Sequence, residues 1–113
     1  GLIENSPRLL NTLFECPSVI AVFTGHRHRN RIRVVRDLLF IDTACMVGFP
    51  FGFREVHLQN DGAVVFNFQT LDLPDLIQAS YERSTPDENN VWNGELNDRI
   101  TEIHSPRLKN IWR

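Results

Sequence analysis

Residues Val19-Ile20-Ala21-Val22-Phe23-Thr24-Gly25-His26-Arg27-His28-Arg29-Asn30-Arg31-Ile32-Arg33-Val34 decide how this chain reads. The apolar run Val19 to Phe23 suits a strand buried on both faces, the pattern of parallel strands in α/β proteins. Thr24-Gly25 ends it, which puts the next residues at the carboxyl end of a strand, where open α/β sheets bind ligands. Beyond Gly25 the chain alternates. Arg27, Arg29, Arg31 and Arg33 share one parity, and His26, His28, Asn30, Ile32 and Val34 share the other. In an extended chain each set lies on one face, with the arginines toward water and the histidines at the rim of a core. Arg36-Asp37 reads as a turn and Leu38-Leu39-Phe40-Ile41 as the returning strand.

Upstream, Ser6-Pro7 opens a helix expected over about residues 7–15, with Leu9, Leu10, Leu13 and Phe14 on one face and Pro17 as its stop. Downstream, Ala44 to Gly52 is irregular, broken by Gly48, Pro50 and Gly52. A second hairpin follows. Val56 and Leu58 alternate with Glu55, His57 and Gln59, Asn60-Asp61-Gly62 is the turn, and Val64, Phe66 and Phe68 alternate with Val65, Asn67 and Gln69. Leu73-Pro74-Asp75 leads into a short helix to about Arg83. Ser84 to Gly94 reads as loop. Leu96, Ile100 and Ile103 are spaced for a further helix, ended by Ser105-Pro106, and Leu108, Ile111 and Trp112 form an apolar tail.

The chain has 113 residues, 42% apolar and 23% charged, which fits one small globular domain and excludes wholesale disorder, a collagen-like fibre or a coiled coil. No uncharged stretch approaches the roughly 18 apolar residues of a membrane span. The net charge is −2, with no overall attraction to nucleic acid or anionic lipid. That mean hides an asymmetry: residues 1–36 carry six Arg against two Glu, a net of +4, and residues 72–104 carry two Arg against eight acids, a net of −6. Cys16 and Cys45 are too few for a disulfide framework and read as two thiols or one bridge. They leave the compartment open, with the cytoplasm favoured. The first residue is Gly1, which leads to the expectation of a piece processed or excised from a longer chain.

The sharpest chemical feature is His26-Arg27-His28. Two imidazoles at i and i+2 of an extended segment point the same way and can serve one metal ion, or two ions about 3.5–4 Å apart as in two-metal hydrolases. Taken alone, the pair fits two surface histidines in an Arg-rich hairpin as well. Gly25 would let the backbone turn beside the site. Arg27 and Arg29 could touch a phosphate, although their parity opposes the histidines. His57 shares a face with Glu55 and is expected to be exposed. His104 is expected to cap a helix end. Phe49, Phe51 and Phe53 suit core filling, with base stacking as the alternative. Asp37 and Asp42 lie near the first hairpin.

The order of helix, apolar strand, Gly-His-x-His and two hairpins resembles the carboxy-terminal portion of the calcineurin-like metallophosphoesterase family. The resemblance covers residues 6–68 and rests on Val19 to Arg29, Leu38 to Ala44, Phe49-Pro50, Phe53-Arg54-Glu55-Val56 and the Asn60-Asp61-Gly62 hairpin. It implies the C-terminal part of a four-layer α-β-β-α sandwich, with residues 1–71 belonging to that domain; residues 72–113 lie outside the resemblance and read, from their charge and spacing, as an acidic helical and loop extension. It also implies hydrolysis of phosphate mono- or diesters by a dinuclear centre of Mn, Fe or Zn type, with His26 binding one ion and His28 the other. The family's Asp-x-His, Gly-Asp-x-x-Asp and Gly-Asn-His-Asp/Glu motifs are missing, so most ligands and the proton donor are not in this chain. The expectation is therefore an active parent whose missing N-terminal part completes the domain, and a fragment that is inactive and self-associates alone. The partner is a phosphoester, with nucleic acid entering only as a possible substrate. The alternatives are a non-catalytic interaction domain on the same scaffold and an Arg-rich module that grips polyanions.

Overall fold

The computed structural model describes residues 6–111. It is a mixed α/β structure of two three-stranded sheets and five helices. Helix α1 spans Ser6–Glu15, as its apolar spacing predicts. Strand β1 (Ala21–Thr24) pairs in parallel with β3 (Leu38–Asp42), and β3 pairs antiparallel with β2 (Arg31–Val35), giving the order β1-β3-β2. Arg36 and Asp37 make the β2–β3 turn with φ of 49° and 62°, the two left-handed residues that a tight hairpin between right-twisted strands requires. The second sheet contains β4 (Gly52–Leu58), β5 (Ala63–Thr70) and β6 (Ile100–His104), all antiparallel, in that order. Gly62 closes the β4–β5 turn at φ 96°.

Side-chain parity explains how the sheets meet. Leu39 and Ile41 of β3 face Val64 and Phe66 of β5, each 1% exposed, and Leu108 joins them at 2%. Ile20, Ala21, Ile32, Val56 and Ile103 pack around this cluster. Phe40 points away from the core, where Phe14 of α1 meets it edge-on at 6.3 Å between centroids, so the end of α1 touches one part of the outer face of the first sheet.

Several expectations are corrected. The Val19 to Phe23 segment is not buried on both faces: β1 is an edge strand and Phe23 is 58% exposed. Residues 26–30 do not continue the strand, because His26 and Arg27 lie in a turn and His28 adopts φ 53°, which breaks the two-residue alternation. Ser84 to Gly94 is not a loop but contains α3 (Pro86–Asn93), opened by Thr85, whose hydroxyl accepts from the Glu88 amide while donating to the Glu88 carboxylate. The helix expected over Leu96 to Ile103 is one turn, α4 (Leu96–Arg99), followed by β6. Ser105-Pro106 does not end a helix: Pro106 begins α5 (Pro106–Ile111), and the Ser105 hydroxyl accepts from the Leu108 amide. The expected helix after Leu73 is present as α2 (Pro74–Glu82). Within the tail, Leu108 is core and Ile111 is 46% exposed, whereas Trp112 lies outside the described residues.

The expected boundary at residue 71 falls between β5 and α2, and β6 pairs with β5 across it. The accessible surface is 7706 Å², against about 6,400 Å² for a compact monomer of this mass. The radius of gyration is 15.7 Å, against about 13 Å for a compact domain of this length. Edge strands β1 and β4 border one apolar cleft of about 150 Å³, lined by Ala21, Phe23, Leu39, Val56, Leu58 and Phe66 among others. No helix among the described residues is long and apolar enough to cross a membrane.

Candidate functional site

The candidate loop runs from Thr24 to Asn30. Its first end is fixed by β1, and the Thr43 amide donates to the Thr24 carbonyl at 3.0 Å. Its second end is fixed by Asn30, which is 2% exposed. The Asn30 amide donates to the Trp92 carbonyl (2.9 Å), and its side-chain Nδ2 donates to the Asn93 carbonyl (3.2 Å). Asn30 Oδ1 accepts from the Ala44 amide (3.1 Å) and from Arg54 Nη2 (3.2 Å). Gly94 packs so tightly on the Asn30 carbonyl that a Cβ would collide with it, and its φ of 73° also favours glycine. In between, Arg29 Nε donates to Asp42 Oδ2 at 3.1 Å, tying the loop to the carboxyl end of β3.

Arg54 is the centre of this assembly. Its Nε donates to Thr43 Oγ1 (3.1 Å), Nη1 to the Asp98 carbonyl (2.9 Å), and Nη2 to the Asp42 carbonyl (3.0 Å) as well as to Asn30. Burial pushes the guanidinium below its usual value, while Asp98 and then Asp42 pull it back up. The Asp98 carboxylate accepts from the Ile32 amide and the Glu95 amide, each at 3.0 Å, so it is fully engaged with main chain.

The sequence-derived candidates are distributed as follows. His26, Arg27 and His28 are exposed in the loop directly after β1, beside a cavity of about 300 Å³ lined by Phe23, Gly25, Thr43, Met46, Phe53 and Arg54 among others. The extended geometry that would aim both imidazoles one way is replaced by the turn. A Cβ on Gly25 would meet nothing within 4 Å, so glycine is not sterically required there. Asp42 pairs with Arg29, and Asp37 accepts from Arg107 Nε at 2.7 Å. His57 is exposed and 3.3 Å from Glu55 Oε2. His104 ends β6, not a helix. Phe49 stacks edge-on against Tyr81 at 5.2 Å, Phe51 is buried, and Phe53 lines the cavity beside Gly25. Cys16 and Cys45 are free thiols. Among the described residues, no three His, Cys, Asp or Glu side chains form a group able to hold a metal ion.

Sequence reasoning missed Arg54, Asn30 and Asp98 as a unit. A signal existed: Arg54 shares the parity of Val56 and Leu58, so a charge sat on an apolar face and needed partners. Compared with known proteins, the chain matches no family model, no curated protein and no solved structure.

Proposed function

We propose that the protein containing these residues is a metal-dependent hydrolase of phosphate mono- or diesters, in which His26 and His28 each donate an imidazole to one of two neighbouring divalent ions of Mn, Fe or Zn type. The observation that carries this reading is placement. Thr24-Gly25-His26-Arg27-His28 follows directly on β1 at the carboxyl end of a parallel pair, and both imidazoles are exposed there.

The donors fit such a centre in kind but not in number. Imidazole suits all of these metals. Two of them cannot alone hold two ions against water, and the described residues add no third donor group. The remaining ligands, carboxylates among them, are therefore assigned to polypeptide outside these 113 residues, and no catalytic step is assigned to this chain by itself. A bound metal pair would supply an activated hydroxide and neutralise charge on the phosphate. This chain's own contribution is to hold the loop, through β1 at one end and the Asn30–Arg54 assembly at the other. The apolar cleft between the β1 and β4 edges supports the larger architecture, a four-layer sandwich of which these two sheets and α1 are one part.

In the intact protein, the double variant His26→Ala/His28→Ala is expected to lower Mn²⁺-dependent hydrolysis of p-nitrophenyl phosphate and its bis-ester by about 100-fold or more, since even outer-shell partners of ligands cost 10–100-fold. The melting temperature should not change, because both side chains are exposed. Undiminished turnover in the variant overturns the reading. The 113-residue chain alone should show no turnover, and activity there would refute the assignment of missing donors to other polypeptide.

A further inference from the structure

We propose that Arg31 and Arg33 form a binding site for a phosphate or pyrophosphate group of a small-molecule ligand, on the outer face of the β1-β3-β2 sheet. The site is a cavity of about 200 Å³ lined by Val22, Thr24, Arg31, Arg33, Phe40 and Asp42. This assignment goes beyond the hydrolase reading and does not depend on it.

The argument starts from the strand period. Arg31 and Arg33 are two residues apart in β2, so their side chains rise from the same face about 7 Å apart, within reach of one tetrahedral anion or of two linked ones. Guanidinium forks match phosphate oxygens in geometry as well as charge. Asp42 lies opposite Arg31 in the register, and its carboxylate is already held by Arg29 Nε at 3.1 Å. Arg31 and Arg33 have no carboxylate partner among the described residues. Three guanidinium groups against one carboxylate leave a local excess of two positive charges. The walls sharpen that charge: Val22 and Phe40 are apolar and displace water, which strengthens the attraction of an anion to the arginines. Thr24 adds a hydroxyl that can donate to the same ligand.

The charge balance also decides the side of the strand. A larger groove of about 460 Å³ runs along the free edge of β2 against α3 and α4 and is lined by Arg29, Arg31 and Arg33. Its lining also holds two carboxylates, Glu95 and Asp98, so with Arg29 already paired to Asp42 the charges there balance. In the sheet-face cavity Asp42 is the only carboxylate in the lining. Its volume holds a phosphate or pyrophosphate group and leaves the rest of an attached molecule outside.

The test is a calorimetric titration of the protein with sodium pyrophosphate at low ionic strength, with inorganic phosphate and a single-stranded oligoribonucleotide as further ligands. Saturable pyrophosphate binding is expected, weakened roughly tenfold or more by Arg31→Ala and by Arg33→Ala. Arg31→Lys and Arg33→Lys, which keep charge and fold, should weaken it less than alanine. Arg8→Ala removes the same charge from exposed α1 and should leave binding unchanged. The proposal fails if pyrophosphate does not saturate, if Arg8→Ala weakens binding as much as Arg33→Ala, or if the oligoribonucleotide binds and pyrophosphate does not.

Discussion

Arg107→Met is expected to lower the unfolding free energy by about 2–3 kcal/mol, because main-chain acceptors that lose their donor cost about 1–3 kcal/mol and the Leu13 and Cys16 carbonyls keep a main-chain donor. Arg107 is 9% exposed and sits in the first turn of α5, yet its bonds are made to the other end of the chain. Its Nη1 donates to the carbonyls of Leu13 (3.3 Å), Cys16 (3.0 Å) and Val19 (2.9 Å), and its Nη2 to that of Phe14 (2.8 Å). Its Nε donates to Asp37. The last carbonyls of a helix have no partner within it, and a cation there also complements the helix dipole. One side chain therefore caps α1 and fixes the segment that leads into β1. Methionine preserves most of the volume and satisfies none of these acceptors.

The rest of α1 cannot compensate, because residues 7–12 are all exposed and Leu13 and Phe14 are only half-buried. Arg107→Lys should recover less than half of the loss, since one ammonium cannot reach acceptors spread around a planar fork. The measurement is the urea midpoint of each variant, with amide exchange read across α1. A loss below about 1 kcal/mol would mean that the Phe14–Phe40 contact, not Arg107, holds the helix. The same geometry predicts that the acidic segment is not dispensable, because β6 and Arg107 lie beyond residue 71 and close structure formed before it.

What the sequence disclosed and what it hid follow from range. Both hairpins were readable, because Arg36-Asp37 and Asn60-Asp61-Gly62 set their turns locally and the apolar parity of Val64, Phe66 and Phe68 sets the buried face. Period misled where it was short. Leu96, Ile100 and Ile103 fit a helical spacing, but Ile100-Thr101-Glu102-Ile103 fits a two-residue period as well, and the free edge of β5 decided between them. The Thr85-Pro86-Asp87-Glu88 start of α3 was a local signal, an N-cap threonine with proline at the first helical turn, outweighed by the polar composition of the segment. In the candidate loop, the alternation of Arg and His suggested one continuous strand. Nothing local announces that Asn30 will be pulled toward Trp92 and Asn93, more than sixty residues away, which is what ends the alternation at His28.

That long-range clamp gives the second large effect. Arg54→Met is expected to cost about 3 kcal/mol, because the guanidinium satisfies the Asp42 and Asp98 carbonyls, Asn30 Oδ1 and Thr43 Oγ1 together, and a buried acceptor left without a donor costs about 1–3 kcal/mol. Asn30 Oδ1 keeps the Ala44 amide and Thr43 keeps a hydroxyl that can turn elsewhere, so the losses do not simply add. The two main-chain carbonyls carry most of the cost. A second consequence separates this residue from an ordinary core position. Arg54 joins the ends of β3 and β4 to the α3–α4 segment at the point where Asn30 closes the candidate loop. Its loss should therefore speed amide exchange at Asn30 and Ile32, whose amides are held by Trp92 and Asp98, far more than at Phe66 in the sheet interior. A Leu39→Ala variant of comparable cost should act the other way round, loosening the core between the sheets first. If both variants speed exchange evenly over the chain, Arg54 contributes to global stability only. If Arg54→Met acts on Asn30 and Ile32 alone, the loop that presents His26 and His28 is positioned by a residue from the opposite sheet.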